Sequence, residues 1–279
     1  MRADGSVDLD GAATLATFLA DRGHDGIVVS GTTGEAPTTT DEEKLALLHA
    51  VLDAVGDRVR VTAGVGTNDT AHTVELAKQA DAAGAHALLV VTPYYSKPPQ
   101  EGIREHFTTV ADATDLPVLM YDIPGRTGVP IAYETLLALG EHPGIAGVKD
   151  AKADFWQAGK VMARTDLLWF SGNDADNLLH LANGATGFVG VTSQVAPEPY
   201  AAMLAAADAG DFTEVRRIHR SLEPLVDAVM NLTQGAIMAK AGLAARGVIA
   251  DPHVRLPLVT ATADQQRVVA DALGQVVLA

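Results

Sequence analysis

One lysine stands where covalent chemistry could occur. Lys149 directly follows the apolar stretch Ile145–Val148, which is typical of a short buried strand. In parallel α/β proteins the carboxyl ends of the strands are where ligands bind. A buried lysine there could attack a carbonyl substrate and form a Schiff base. The alternative is a structural ion pair with Asp150 or another acid, and this stretch alone leaves both interpretations open.

Hydroxyl groups are concentrated in two other segments. Residues 31–35 (GTTGE) place Thr32 and Thr33 between glycines, and the free N–H groups of such a turn suit a carboxylate. A turn that caps the next helix is the alternative. Residues 92–99 (TPYYSKPP) hold Tyr94 and Tyr95 in a proline-stiffened loop. They fit an oligomer interface or a proton relay, and both hold if one copy's tyrosine completes another copy's site.

Two further segments could complete a pocket for a small acid. Residues 121–128 (YDIPGRTG) place Tyr121 at a strand end and Arg126 in a loop, where arginine suits bidentate capture of a carboxylate. The alternatives are a core aromatic for Tyr121 and a surface ion pair for Arg126. Gly172, in residues 171–174 (SGND), lets backbone come close to a ligand, and Phe188–Val191 would line the far wall.

Composition excludes several classes of protein. The chain has 279 residues, a formal net charge of −15 and no cysteine, so a nucleic-acid backbone is an unsuitable partner and thiolate metal sites are ruled out. The nine histidines show no metal-binding spacing, and no phosphate-binding glycine motif is present. We expect no metal, no membrane segment and no signal peptide, and therefore a cytoplasmic location.

The elements that would position these residues follow from the hydrophobic pattern. Apolar, β-branched clusters alternate with alanine- and leucine-rich stretches of helical spacing, which predicts a parallel sheet covered on both faces. Seven strands are predicted: Ile27–Val29, Val59–Thr62, Ala87–Val91, Val118–Tyr121, Ile145–Val148, Leu167–Phe170 and Phe188–Val191.

Both ends of the chain read as helical. Residues 7–22 predict a helix, so a closed eight-stranded barrel would lack its first strand. After residue 191 four helices are predicted with no strand between them: 196–207, 212–230, 235–245 and 264–278. We therefore predict a barrel domain over residues 1–209 and a C-terminal helical region over residues 210–279.

The five chemistry-bearing segments also resemble a known family. The order GTTGE, TPYYSKPP, YDIPGRTG, GVKDA and SGND is similar to that of the dihydrodipicolinate synthase (4-hydroxy-tetrahydrodipicolinate synthase) family of class I pyruvate-dependent aldolases, and closest to its actinobacterial members. The resemblance covers essentially the whole chain. It implies a (β/α)8 TIM barrel, here lacking its first strand, with a C-terminal helical appendage, assembled as a homotetramer that is a dimer of dimers.

The resemblance also implies residue roles. Lys149 corresponds to the Schiff-base lysine and Tyr121 to the tyrosine that shuttles protons beside it. Thr32 corresponds to the threonine that links this tyrosine to a second one, donated across a dimer interface, which Tyr95 resembles. The substrate-binding positions are Thr33 for the pyruvate carboxylate, Arg126 for the carboxylate of the aldehyde substrate, and Gly172 and Val189 for the pocket wall.

The function implied is condensation of pyruvate with L-aspartate 4-semialdehyde in lysine and diaminopimelate biosynthesis, without a metal or organic cofactor. Another pyruvate-dependent aldolase, acting on 2-keto-3-deoxy sugar acids or 4-hydroxy-2-oxoglutarate, is the first alternative. Arg126 favours the synthase, because sialic-acid lyases usually lack an arginine in that loop. A non-catalytic paralogue that binds a 2-oxo acid or a partner is the second alternative.

Overall fold

The computed structural model describes residues 1–276, and strands alternate with helices along much of this length. The strands are β1 (Gly26–Val29), β2 (Arg60–Gly64), β3 (Ala87–Val91), β4 (Val118–Asp122), β5 (Ile145–Asp150), β6 (Leu168–Ser171) and β7 (Gly187–Phe188). The helices up to β7 are α1 (Leu9–Ala20), α2 (Asp41–Val55), α3 (Thr70–Ala82), α4 (Gln100–Ala111), α5 (Pro124–Thr127), α6 (Tyr133–Gly140), α7 (Phe155–Met162) and α8 (Asn177–Ala182). Those after β7 are α9 (Thr192–Val195), α10 (Pro197–Asp208), α11 (Phe212–Ser221), α12 (Glu223–Val226), α13 (Gly235–Ala245) and α14 (Ala263–Gln275).

The chain divides into two compact units, one formed by Met1–Arg60 with Gly190–Ala279 and the other by Val61–Val189. The predicted boundary between residues 209 and 210 stays a prediction. None of the helices in residues 1–276 combines the length and the apolar composition of a membrane span.

The unit Val61–Val189 is organised around parallel strands paired in chain order, each with the next. Most of their residues are buried, as the continuous apolar runs of a parallel sheet require. The register places Tyr121 of β4 beside Lys149 of β5, and Lys149 beside Phe170 of β6. The carboxyl ends of these strands therefore bring the candidate residues of this unit to one edge.

The unit formed by Met1–Arg60 and Gly190–Ala279 joins the two ends of the chain through charged side chains. Glu198 of α10 accepts hydrogen bonds from Arg22, after α1, and from Arg246, after α13. Arg255 forms an ion pair with Glu43 at the start of α2. Its guanidinium donates hydrogen bonds to both carboxylate oxygens of Glu43, which offsets the cost of desolvating the two charges. Residues far apart in sequence are thereby held together.

Two predicted elements differ from those observed. The prediction of one helix over residues 212–230 was wrong: α11 ends at Ser221, α12 follows, and Asp227–Asn231 form a π-helical turn. Pro224 lies at the start of α12 and has no N–H to continue the hydrogen-bond ladder. The strand predicted at Phe188–Val191 is shorter and ends at Phe188. Residues 277–278 of the last predicted helix lie outside the described residues.

Candidate active site

Lys149 occupies a buried position at the end of β5. Only 9% of the residue is exposed, and burial lowers the pKa of its amine to about 8. The Asp174 carboxylate opposes this shift, and the Arg126 guanidinium adds to it. A larger share of the side chain is therefore neutral at physiological pH than for a free lysine, and only the neutral amine is a nucleophile.

Tyr121 lies directly against this amine. The Lys149 Nζ atom is 4.2 Å from the centroid of the Tyr121 ring. Burial raises the pKa of the Tyr121 phenol to about 12, while the charge of Arg126 acts in the opposite direction. The phenol is therefore protonated at neutral pH and can donate a proton to a developing oxyanion beside the amine.

The ion pair between Lys149 and Asp150 that the sequence left open does not form. The Asp150 carboxylate accepts hydrogen bonds from the Lys152 backbone N–H (2.8 Å) and from the Trp169 indole N–H (3.2 Å). Successive residues of a strand point to opposite faces of the sheet, so Asp150 faces away from its neighbour. This leaves the amine of Lys149 without the carboxylate that would have held it as an ammonium ion.

Gly172 makes room for the lysine side chain. A Cβ atom at this position would lie 3.1 Å from both Lys149 Cγ and the Asp150 carbonyl oxygen, which is closer than most real contacts. The Val189 N–H donates to the Ser171 carbonyl oxygen at 2.8 Å, so the backbone stays attached to β6 after the short strand β7 ends. Both residues thus lie beside the strand ends, and their roles in the pocket wall stay predictions.

Arg126 is carried by the one-turn helix α5 in the loop that follows β4. Its side chain is exposed, yet its charge acts on the pKa values of both Lys149 and Tyr121. A guanidinium that is open to solvent and close to the amine can bind a carboxylate arriving from outside.

Tyr95 has a different setting from Tyr121. Its backbone adopts the left-handed region, with φ of 71°, and 89% of the residue is exposed. Such strain in a non-glycine residue is typical of functional loops. The structure does not place the Tyr95 side chain in a packed position of its own chain.

Thr32 and Thr33 belong to the other unit, where they open the 3-10 turn Thr32–Gly34. Glu35 follows in the left-handed region with φ of 58° and is almost fully buried. Its carboxylate accepts hydrogen bonds from the Arg255 backbone N–H and from the Lys240 ammonium. These contacts fix the turn, and the approach of its two threonines to Tyr121 stays a prediction.

Sequence reasoning missed two residues that shape the site. Thr92 donates hydrogen bonds from both its N–H and its Oγ1 to the Tyr121 carbonyl oxygen, each 3.0 Å long. Asp174 is buried and biases the charge of Lys149. Both lie in segments that the sequence analysis had identified, residues 92–99 and 171–174. The parallel topology, which brings strand ends together, was the signal that could have placed them near the site.

Comparison with known proteins decides the family. The profile of the dihydrodipicolinate synthetase family matches residues 1–276. The chain belongs to this family. Its family membership confirms the predicted lyase of the class I aldolase type and the predicted synthase function. Among the described residues no group of three or more His, Cys, Asp or Glu side chains could hold a metal ion.

Individual relatives agree with this assignment. The chain is 61% identical to the 4-hydroxy-tetrahydrodipicolinate synthase of Kineococcus radiotolerans, over 94% of this chain and 85% of that protein. It is 59% identical to the synthase of Acidothermus cellulolyticus, over the same shares.

A solved relative extends the agreement to three dimensions. The crystal structure of the chloride-inhibited dihydrodipicolinate synthase from Acinetobacter baumannii complexed with pyruvate superposes with a TM-score of 0.95. The two are 32% identical, over 100% of this chain and 96% of that one. The predicted fold class, a TIM barrel of βα units with C-terminal helices, is confirmed by this likeness.

Proposed function

We propose that the chain condenses pyruvate with L-aspartate 4-semialdehyde through a Schiff base on Lys149. The observation that carries the proposal is the setting of this lysine. It is buried, the pKa of its amine is lowered to about 8, and it lies against the phenol of Tyr121. A neutral amine beside a proton donor is the combination that imine formation needs.

Imine formation transfers two protons from nitrogen to oxygen. The Lys149 Nζ atom attacks the keto carbon of pyruvate, and the carbonyl oxygen gains a proton to give a carbinolamine. Loss of water, after a second proton reaches the hydroxyl group, leaves the imine. In the proposed path Tyr121, whose phenol is protonated at neutral pH, first gives its proton to the oxygen and then regains one from the nitrogen, once for each proton transferred.

The imine nitrogen then gains a proton, which is balanced by the proton that the methyl group loses in the next step, and the protonated imine acts as an electron sink. The pyruvate methyl group loses a proton and becomes the nucleophilic carbon of an enamine. This carbon attacks the aldehyde carbon of the second substrate, and the aldehyde oxygen gains a proton. Arg126 holds the carboxylate of that substrate, which orients the aldehyde for attack.

Release of the product regenerates the lysine. The amino group of the bound aspartate semialdehyde attacks the imine carbon and closes the ring, so the bond from that carbon to Lys149 breaks. The attacking amino group loses two protons as it becomes the ring imine, the lysine nitrogen gains two, and the lysine leaves as a free amine. No step of this sequence calls for a metal or an organic cofactor.

The remaining predicted residues complete the proton path and the pocket. Thr32 would connect Tyr121 to Tyr95 of a second copy, and Thr33 would bind the pyruvate carboxylate. The exposure and strained backbone of Tyr95 support its donation to another copy. We therefore also propose a homo-oligomer, namely a tetramer built as a dimer of dimers. The biosynthetic role is the basis for proposing a cytoplasmic location.

Subunit mixing tests the shared site. Lys149→Ala and Tyr95→Phe chains are each expected to be weakly active, and a mixture that exchanges subunits should recover about a quarter of wild-type activity. The recovery arises because a mixed pair contains one site with both residues intact. Mixing that restores nothing, although exchange is verified by mass, would show that Tyr95 serves its own chain or none.

A coupled condensation assay tests the proposed reaction. The wild-type chain should consume pyruvate only when L-aspartate 4-semialdehyde is present, and Arg126→Met should raise the KM for the aldehyde far more than that for pyruvate. Cleavage of 2-keto-3-deoxy sugar acids or 4-hydroxy-2-oxoglutarate, without condensation, would assign the chain to another pyruvate aldolase. No turnover of any of these substrates would favour a binding role.

A further inference from the structure

The loop that carries Arg126 is braced from within. It leaves β4 after Asp122 and ends at Ile131, before α6. The Thr127 hydroxyl reaches the carbonyl oxygens of Ile123 (3.1 Å) and Val129 (3.0 Å), and the Gly128 N–H donates to the Pro124 carbonyl oxygen at 2.9 Å. The short helix α5 is therefore a preformed turn, and its placement depends on what holds the two ends of the loop.

One buried ion pair holds both ends. The Asp122 carboxylate accepts hydrogen bonds from the Ile131 N–H (3.2 Å) and from the Lys152 ammonium (2.9 Å). The same ammonium donates to the Ile131 carbonyl oxygen at 3.1 Å. The side chains are 1% exposed for Asp122 and 11% for Lys152. The last residue of β4, from which the loop departs, and the last residue of the loop are thus tied together by one charged pair.

The pair is also tied to the strand of the nucleophile. The Asp150 carboxylate accepts from the Lys152 backbone N–H at 2.8 Å, and the Ala151 N–H donates to the Asp122 carbonyl oxygen at 2.9 Å. The three residues after Lys149 therefore follow a fixed path from β5 to the loop of Arg126. A displacement of the loop relative to β5 would break several of these bonds at once.

Each of the three ammonium N–H groups of Lys152 already has an acceptor, so none is available to bind a substrate. Two of its three ammonium protons go to Asp122 and Ile131, and the Gln157 side-chain oxygen, in the amide orientation that satisfies its neighbours, lies 3.2 Å from the Nζ atom. A role of this lysine in the reaction must therefore run through the residues that it holds.

We infer that the Asp122–Lys152 ion pair positions Arg126 for the second substrate, so that Lys152 is a positioning residue for recognition of the aldehyde carboxylate. The inference rests on the proposed function, in which Arg126 binds that carboxylate. A buried ion pair adds little net stability compared with an apolar pair of the same size. Its use here is geometric, because it sets the distance between the loop and β5.

The first experiment separates the two substrates. Lys152→Met should raise the KM for L-aspartate 4-semialdehyde by about tenfold, as expected for a carboxylate-binding group displaced by part of an ångström. The rate at which borohydride traps pyruvate on Lys149 should stay within about twofold of wild type. Lys152→Arg, which keeps the charge, should recover part of the loss. Lys160→Met is the matched control, because Lys160 contacts the Tyr133 ring and none of the loop bonds.

A double-mutant cycle tests whether the effect runs through Arg126. If it does, adding Lys152→Met to Arg126→Met should leave the KM for the aldehyde unchanged, since no positioned guanidinium remains. Independent, multiplying losses would overturn the inference and give Lys152 a separate contribution to binding.

A second variant guards against misfolding. Lys152→Met leaves the Asp122 carboxylate buried without its cation, whereas Asp122→Asn with Lys152→Met leaves no buried charge and keeps an acceptor for the Ile131 N–H. This double variant should show the same selective rise in KM. An unchanged KM in the folded variants, or an equal loss of pyruvate trapping, would overturn the inference. Failure of the wild-type chain to trap pyruvate would instead refute the proposed function.

Discussion

Two lysines near the end of β5 have opposite surroundings although they are three residues apart. Lys149 lies against the ring of Tyr121, and among the described residues no carboxylate stands at ion-pair distance from it. Lys152 forms an ion pair with Asp122 at 2.9 Å. Both are largely buried, so burial alone does not determine what a lysine does.

The two lysines differ in the protein groups that replace water around the nitrogen atom. Burial without a carboxylate partner favours the neutral amine, which is what a nucleophile needs. Burial with a carboxylate partner and carbonyl acceptors keeps the ammonium ion and fixes its direction. One lysine can therefore supply chemistry and the other geometry. The predictions that follow from this contrast are given in order of decreasing effect.

The largest difference concerns activity. Lys149→Ala should lower kcat by at least about a thousandfold, because the covalent step loses its nucleophile. Lys152→Met should retain most of kcat at saturating substrate. Steady-state kinetics of both variants check this, and a Lys149→Ala enzyme within tenfold of wild type would end the assignment of the nucleophile.

Removal of the phenol should have the next largest effect. Tyr121→Phe should lower kcat by about two to three orders of magnitude, since a positioned proton donor contributes that much. The fold should persist because the ring remains. Kinetics together with circular dichroism check this, and near-normal kcat in a folded variant would show that another group moves the protons.

For stability the order of the two lysines should be reversed, so that substitution of Lys152 has the larger effect. Lys152→Met should lower the free energy of unfolding by about 3 kcal/mol, because it leaves the buried Asp122 carboxylate without its cation. Lys149→Met should change it by less than about 1 kcal/mol, because an apolar side chain replaces a buried amine. Urea unfolding at one protein concentration measures both, and equal losses would contradict the contrast.

The loss in Lys152→Met should also depend on pH. Burial already raises the pKa of Asp122, and loss of the cation removes a group that lowers it. A folded-state pKa above the unfolded value means that stability falls as pH rises from the unfolded pKa through the folded one. The variant should therefore be closer to wild type at pH 5 than at pH 8.

The charge of Lys149 should be adjustable from two sides. The pyruvate trapping rate should rise with pH to a plateau above about 8, the pKa of this amine. Asp174→Asn should move this rise to lower pH, and Arg126→Met to higher pH, because they remove charges that raise and lower the pKa of this amine. Profiles of trapping rate over pH 6 to 10 check the two directions. Shifts of the same sign in both variants would contradict the opposite effects that the two charges are expected to have on the pKa of Lys149.

The smallest predicted effect is steric. Gly172→Ala should slow pyruvate trapping about fivefold, because the new methyl group would crowd Lys149 Cγ and the Asp150 carbonyl oxygen. Gly274→Ala is the matched control, since a Cβ there meets nothing within 4 Å. Equal rates for the two variants would show that the lysine side chain has more room than the structure gives it.

The strands and the reactive lysine could be predicted from the sequence because their signal is local. The apolar run Ala87–Val91 is β3 with the same bounds, and Lys149 lies at the carboxyl end of β5, one residue before its last, Asp150. The single helix predicted over residues 212–230 failed because a helical hydrophobic spacing continued through Pro224, whose effect on the backbone outweighed that spacing.

The pairing of the charges could not be predicted. Asp150 is adjacent to Lys149 in sequence but faces the other side of the sheet. Lys152 instead forms its ion pair with Asp122, thirty positions earlier. That choice depends on the register between β4 and β5 and on the path of the chain after β5. The exposure of Tyr95 likewise depends on its left-handed backbone, which could not be predicted from the residue type.

Site-resolved trapping tests the central claim most directly. The wild-type chain is incubated with pyruvate, reduced with borohydride, digested and mapped by mass spectrometry. We predict one reduced pyruvate adduct, on Lys149, formed faster at pH 8 than at pH 6, with none on Lys152. An unmodified Lys149 alongside an adduct elsewhere, or no adduct at all, would contradict the account.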